Sequence, residues 1–279
     1  MAFFPPDVID GTLGSYGQLP NLTVTTSFRP PPIYHSFLPI LVIPCFSPCS
    51  KLATAITLLN LTLTLTSFFS HKCRETLNPA LASSAAGRRL APYVWTHQYT
   101  HLSPTTCFVL DDGAGRPVGY CIGCPDIAAF VADYDSYVTD VLDTSPEGEV
   151  TRPEDLEAKG EPLFLADGSV NEVALARLAY NPRLLLVDGN DDLLAEYKAT
   201  MHIDLLPEVQ GKGWGRKLLE RFVGSVEGVR RMRDGSESRG IWIGVAGDNG
   251  KVVPFYEKLG FRIKERPVES KTFFMVRDY

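Results

Sequence analysis

From residue 199 onward, apolar and polar positions follow the clearest periods in the chain. ATMHIDLL, 199–206, is a run suited to a buried strand. A glycine-rich loop follows it. The spacing then turns helical, with Leu218, Leu219, Phe222 and Val226 on one face of a helix predicted over 213–229. GIWIGVA, 240–246, reads as a second buried strand. NGKVVPFYEKLG reads as a short helix stopped by Gly260, and FRIKERPV and KTFFMVRDY close as a hairpin.

Between residues 78 and 198 the pattern is mixed. NPALASSAAGRRLAPYVW suits a helix ending near Pro92. TTCFVLDD, 105–112, and PVGYCIG, 117–123, alternate as two strands around a GAG turn. Asp126 is placed to cap a helix over IAAFVADYDSYVTDVL. The acidic stretch 143–168 carries Pro and Gly and reads as a surface loop. A helix is predicted over 170–179, stopped by Pro182, and a short one starts at Asp191. No internal repeat is visible.

The front of the chain differs. No Asp or Glu occurs between Asp10 and Glu75, a gap of 64 residues. FLPILVIPCFSPCSK is punctuated by Pro and Cys and has neither a helical nor an alternating period, so it reads poorly as folded core. LATAITLLNLTLTLTSFF, 52–69, carries no charge over 18 residues, the lower edge of a membrane span. Five of those residues are Thr, which leaves the run only moderately apolar and makes a membrane anchor the lesser reading. The expected division is an atypical N-terminal region over 1–77 and a folded domain over 78–279.

Composition narrows the function. The 279 residues, 44% of them hydrophobic, suffice for one large domain or two small ones. A net charge of -6 argues against general nucleic-acid binding, which needs a basic face. Six cysteines do not make a disulfide scaffold at this length. Cys121 and Cys124 form a CxxC with no second pair or histidine at zinc spacing, so they read as buried strand thiols, and no metal is expected. The start, MAFFPPDVID, lacks a basic region and is interrupted by prolines and acids, unlike a secretory signal. A cytoplasmic location is therefore expected, and the N-x-T matches at Asn21 and Asn60 are read as chance.

VQGKGWGRKLLE, 209–220, places three glycines directly before an amphipathic helix. The first N–H groups of a helix have no internal partner and sit at the positive end of its dipole. Glycines let a phosphate approach them closely. Gly211, Gly213 and Gly215 thus form a candidate pyrophosphate cradle. No GK[ST] closes it, so it is not a nucleotide P-loop, and the Rossmann spacing G-x-G-x-x-G is absent. On the loop alone, a tight strand-to-helix turn without a ligand stays open.

The run from Gln210 to Gly215 matches the Q/R-x-x-G-x-G/A signature of the GNAT acetyltransferases, and the strand HIDLLPEV precedes it as in that family. DNGKVVPFYEKLGF, 248–261, resembles the second GNAT signature, N-x-x-A-x-x-x-Y-x-K-L-G-F, at the family's distance. FVLDD, PVGYCIG and HIDLLPEVQGKGWG further resemble small fungal and bacterial GNAT proteins related to the acetyltransferase-like domain of O-GlcNAcase. The resemblance covers 78–279, with a candidate first strand at 22–28. It implies the α/β (α+β) GNAT fold, a mixed, mostly antiparallel sheet flanked by helices. Two departures stand out. Val252 occupies the place of a common alanine, and RPPPIYHSFLPILVIPC to SFFSHKC stands where the family's first helices belong. That segment resembles translated intron sequence more than a designed element.

The resemblance implies acetyl-CoA as co-substrate. Leu205 and Leu206 would offer backbone groups to the pantetheine arm. Gln210, Gly211, Lys212, Gly213, Trp214, Gly215 and Arg216 would hold the pyrophosphate. Asn249 would reach the pantetheine, and Tyr256 would protonate the leaving CoA thiolate. His202 and Asp204 lie two apart on a strand, hence on one face, and either is a candidate general base. Asp112, Asp126 and Tyr120 are further candidates to line the acceptor site. The acceptor is expected to be a primary amine of unspecified kind, acetylated by direct attack in a ternary complex, since no cysteine sits at a matched catalytic position. The rival reading is a non-catalytic acetyltransferase-like module.

Overall fold

The computed structural model describes residues 41–44, 62–114, 116–232, 238–266 and 270–279. The chain runs β1 (Leu41–Pro44), α1 (Thr62–Glu75), α2 (Pro79–Ala82), α3 (Ala85–Trp95), α4 (His97–Leu102), β2 (Phe108–Asp111) and β3 (Pro117–Cys124). It continues with α5 (Ile127–Ala132), α6 (Tyr134–Tyr137), α7 (Glu172–Tyr180), α8 (Arg183–Leu186), α9 (Asp191–Leu194) and β4 (Tyr197–Leu205). It ends with α10 (Trp214–Met232), β5 (Gly240–Ala246), α11 (Val253–Glu257), β6 (Arg262–Ile263) and β7 (Thr272–Asp278). The strands form one sheet in the order β1-β2-β3-β4-β5-β7-β6. β1/β2 and β4/β5 are parallel, and the other pairs are antiparallel. This is the mixed, mostly antiparallel sheet expected from the sequence.

Apolar side chains leave the sheet on both faces and build two cores. Met201, Ile241, Ile243 and Val245 meet Leu218, Leu219, Phe222 and Val226 of α10, the four residues that the helical period selects. On the other face, Tyr120, Ile122, Tyr197 and Trp242 pack with side chains of α1, α3, α4 and α7. Asp126 caps α5 as predicted, accepting from the Ala129 amide at 3.1 Å. The single helix predicted after it breaks into α5, α6 and a π-helical turn, Val138–Leu142. The acidic stretch 143–168 has no helix but is tied down. Buried Arg177 donates to the Asp155 carbonyl at 2.6 Å and pairs with Glu161 at 2.7 Å.

The front of the chain requires a correction. Residues 41–44 pair in parallel with β2, although their surroundings show no period. A continuous apolar run of four residues ended by proline is too short for periodicity to register. The division at 77/78 places α1 outside the folded domain, but Phe69, Cys73 and Leu77 are buried in the core. They recur every four residues, one helical face. The candidate strand at 22–28 and residues 52–61 lie outside the described residues. No described helix is long and apolar enough to cross a membrane.

Pro92 does not end its helix, which continues to Trp95. Proline lacks the N–H that would bond to the carbonyl four residues back, here that of Arg88. Arg74, from α1, supplies the missing donor: its Nε reaches the Arg88 carbonyl at 2.8 Å. The helix tolerates proline because a neighbouring helix serves the orphaned oxygen. Arg74→Met is expected to lower stability by about 1 kcal/mol, the usual net value of one hydrogen bond. A melting temperature equal to that of the wild type would show that water serves the carbonyl equally well.

Candidate active site

Strands β4 and β5 are registered only from Tyr197↔Gly240 to Thr200↔Trp242. Beyond that point each follows its other neighbour. β4 stays on β3 as far as Leu205, opposite Gly119, and the Leu206 amide donates to the Val118 carbonyl at 2.9 Å. β5 stays on β7 as far as Ala246, opposite Thr272. A wedge therefore opens in the middle of the sheet, and the last residues of β4 have no strand partner on that side among the described residues. Backbone N–H and C=O groups are obligatory hydrogen-bonding groups, so this edge is ready to bind an extended ligand.

The turn after β4 sits at the wide end of the wedge. Gln210 Nε2 donates to the Leu205 carbonyl at 2.8 Å and ties the loop back to the strand. Gly211 and Gly213 have φ of +70° and +80°, the left-handed region that favours glycine, and the space beside each is open. The amides of residues 211 to 216 find no acceptor among the described residues. The loop is thus a concave row of free N–H groups at the N-terminus of α10, which spans 19 residues. Lys212 is exposed. Trp214 is buried, with Lys217 Nζ 4.1 Å from its ring centroid, so its indole packs and only its amide faces the loop. Gly215 lies under the Phe255 ring, and Arg216 donates to the Lys258 carbonyl at 2.8 Å.

A cleft of about 180 Å3 adjoins the end of β5, between the segment after α1 and the turn before α11. Thr76, Leu77, Asn78, Ala246, Asn249 and Lys251 line it, and Asn78 donates to Asp248 across it at 2.6 Å. Behind Thr76 stands Asp204. Its Oδ2 accepts from the Thr76 hydroxyl at 3.0 Å and from the Tyr120 hydroxyl at 2.5 Å. His202 shares that face of β4 but lies deeper, edge-on to Tyr99 with ring centroids 5.5 Å apart. Burial pushes its pKa down to about 4, against a smaller opposing pull from Asp204, so it is neutral at physiological pH. Tyr256 is buried and edge-on to Phe255 and Phe261. Burial first, then the charge of Asp204, raises its pKa above the ordinary phenol value, so its proton is retained. Its hydroxyl has no hydrogen-bond partner among the described residues.

The sequence model of the Acetyltransferase (GNAT) family matches residues 72–261, well over half of the chain. The chain belongs to the GNAT family. The crystal structure of SsHAT is similar at 26% identity, with a TM-score of 0.58 over 76% of this chain and 93% of that one. PH1933 from Pyrococcus horikoshii OT3 is 14% identical, with a TM-score of 0.41 over 79% of this chain and 93% of that one. A further acetyltransferase crystal structure is 14% identical, with a TM-score of 0.42 over 78% and 94%. No curated protein matched.

Within this GNAT domain, the residues from Leu205 to Arg216 surround the wide end of the wedge, and Asn249 lines the adjoining cleft. Asp204 stands behind the cleft wall, while His202 is turned into the helical layer. Asp112 and Asp126 do not join the site. Asp112 accepts from the Ala114 amide and Arg116 in the β2–β3 turn, and Asp126 is occupied as a helix cap. Tyr120 does join, through Asp204. Cys121 and Cys124 cannot act together, because they enter different cores; Cys121 Sγ is 3.5 Å from Met201 Sδ. Burial raises both thiols above their ordinary pKa. No group of three His, Cys, Asp or Glu among the described residues could hold a metal. Thr76 escaped the sequence reading: its partner is 128 residues away, and no local signal marks it.

Proposed function

We propose that the protein transfers an acetyl group from acetyl-CoA to a primary amine. The observation that carries this reading is the coincidence of three features: the β4–β5 wedge, the free amides of 211–216 and the cleft backed by Asp204. The residues fit the group. Of the Leu205 and Leu206 backbone groups, the Leu205 amide at the open β4 edge suits an amide of a pantetheine arm, while the Leu205 carbonyl is held by Gln210 and the Leu206 groups by Val118 and Val209. The row of N–H groups suits a pyrophosphate, and a Cβ at Gly211 or Gly213 would encroach on it. Asn249 is placed to meet the arm from the β5 side.

The thioester supplies an acetyl carbonyl that an amine can attack directly. Asp204 is the better general base. Both side chains are buried, but Asp204 already gathers hydroxyl donors at the cleft wall, whereas burial strongly disfavours a proton on His202. His202 then serves as a neutral polar neighbour on the same strand face. Tyr256 holds its proton at neutral pH and has no acceptor among the described residues, which suits a general acid for the departing thiolate. No acetyl-enzyme is invoked, because the cysteines among the described residues, Cys73, Cys107, Cys121 and Cys124, are all buried.

The test is calorimetry with acetyl-CoA, followed by thiol release with a panel of amines: a polyamine, an aminoglycoside, a lysine peptide and a peptide N-terminus. Binding with a Kd near the micromolar range, about 8 kcal/mol, and thiol release with at least one amine are expected. Binding without release would identify an acetyltransferase-like binding module, the kind of relation that the resemblance to the O-GlcNAcase domain suggests. No binding would overturn the reading.

A further inference from the structure

Thr76 stands just past α1, on the wall of the cleft. Its hydroxyl has two acceptors at equal distance. One is Asp204 Oδ2 at 3.0 Å, and the other is the Lys72 carbonyl, also at 3.0 Å. The Cys73 carbonyl lies farther, at 3.4 Å. A hydroxyl carries one hydrogen and two lone pairs, so it can serve only one of these acceptors fully at a time.

We propose that Thr76 is a positioning residue for acetyl transfer, holding the Asp204 carboxyl against the cleft in both of its protonation states. The proposal rests on the reading of Asp204 as the base. When Asp204 is ionised, the Thr76 hydrogen points to Oδ2. When Asp204 has taken the proton of the attacking amine, it donates that proton to the Thr76 oxygen, and the Thr76 hydrogen turns to the Lys72 carbonyl. No heavy atom has to move. The amine nitrogen loses one proton, Asp204 gains it, and Thr76 ends with the one it began with.

The other titratable groups about Asp204 do not compete for this part. Tyr120, from β3, already donates to the same oxygen. Cys73, from α1, and Tyr256, from α11, feel its charge, but burial keeps both protonated. His202, on β4 itself, is neutral for the same reason. Thr76 is thus the member of the group that belongs both to the cleft lining and to the carboxylate. Because α1 delivers it, the helix that reads least like designed structure closes the back of the site.

The test compares Thr76→Val, Thr76→Ser and Asp204→Asn in the full chain. With acetyl-CoA and the best amine of the panel, Thr76→Val should lower kcat about tenfold and change the KM for acetyl-CoA less than about threefold. Thr76→Ser should restore kcat. A second arm needs no ligand: the melting-temperature gap between wild type and Thr76→Val should shrink in an Asp204→Asn background, where the bond to a carboxylate becomes a weaker neutral one. A gap of the same size in the Asp204→Asn background, or a Ser variant as impaired as Val, would overturn the proposal and leave Thr76 a packing residue. Full turnover in Asp204→Asn would instead overturn Asp204 as the base, whatever the ligand-free arm shows.

Discussion

Gly213→Asp is expected to weaken acetyl-CoA binding about a hundredfold, roughly 2.7 kcal/mol. Two effects contribute, and a companion variant separates them. Gly213 has φ of +80°, where an ordinary L-residue costs about 1–2 kcal/mol; Asp and Asn tolerate this region better than most. The added carboxylate would also stand among the free amides of 211 to 216. Two like charges about 5 Å apart interact with about 3 kcal/mol at an effective dielectric near 20. Gly213→Asn has nearly the same shape without the charge and should lose about tenfold or less. Calorimetry gives both affinities, and circular dichroism checks the fold. Equal losses in Asp and Asn would mean that no anion sits in the loop. Unchanged affinity in both would remove the cradle from the site altogether.

Tyr256→Phe should reduce turnover about a hundredfold, within the usual range for general acid catalysis. The fold should hardly notice, because the hydroxyl has no hydrogen-bond partner to lose among the described residues. Acetyl-CoA affinity should also survive. The raised pKa sets the sign of the pH response: the phenol keeps its proton well above neutrality, so no loss of activity between pH 7 and 9 should trace to Tyr256. A substrate whose leaving thiol is more acidic needs less help and should restore much of the lost rate. Wild-type turnover in the Phe variant, with chemistry shown to limit the rate, would leave Tyr256 as a packed aromatic between Phe255 and Phe261.

The second half of the fold was legible because its signals are local. The run of 199–206, the glycines before α10 and the face of Leu218, Leu219, Phe222 and Val226 each lie within a few residues. Only the ends of the elements shifted. The front was misread for a physical reason. A region poor in acids and rich in threonine resembles unstructured text, and the buried residues described in and just after α1, Phe69, Cys73 and Leu77, are a short signal. Pro92 misled because the rule it follows is local, while the donor that relieves it comes from another helix. The candidate site divides in the same way. Asp204 and His202 share a strand face, which the sequence shows, but their different depths depend on what packs above them. Thr76 and Tyr120 could be assigned to Asp204 only after folding had brought α1 and β3 beside it.

The wedge between β4 and β5 has a consequence for how the site can change. The sheet consists of two plates, β1–β4 and β5–β7–β6, joined by three residue pairs. On the proposed reading, the missing rung between them is supplied by a small molecule, so the ligand is a strand borrowed from solution. What recognises it along β4 is peptide backbone, which every amino acid carries alike. Side chains at 205 and 206 can then drift without erasing the contact, whereas one inserted or deleted residue in β4 would reverse the direction of every group on that edge. The recognition is written in register and would tolerate many substitutions, but not a single slip of the strand.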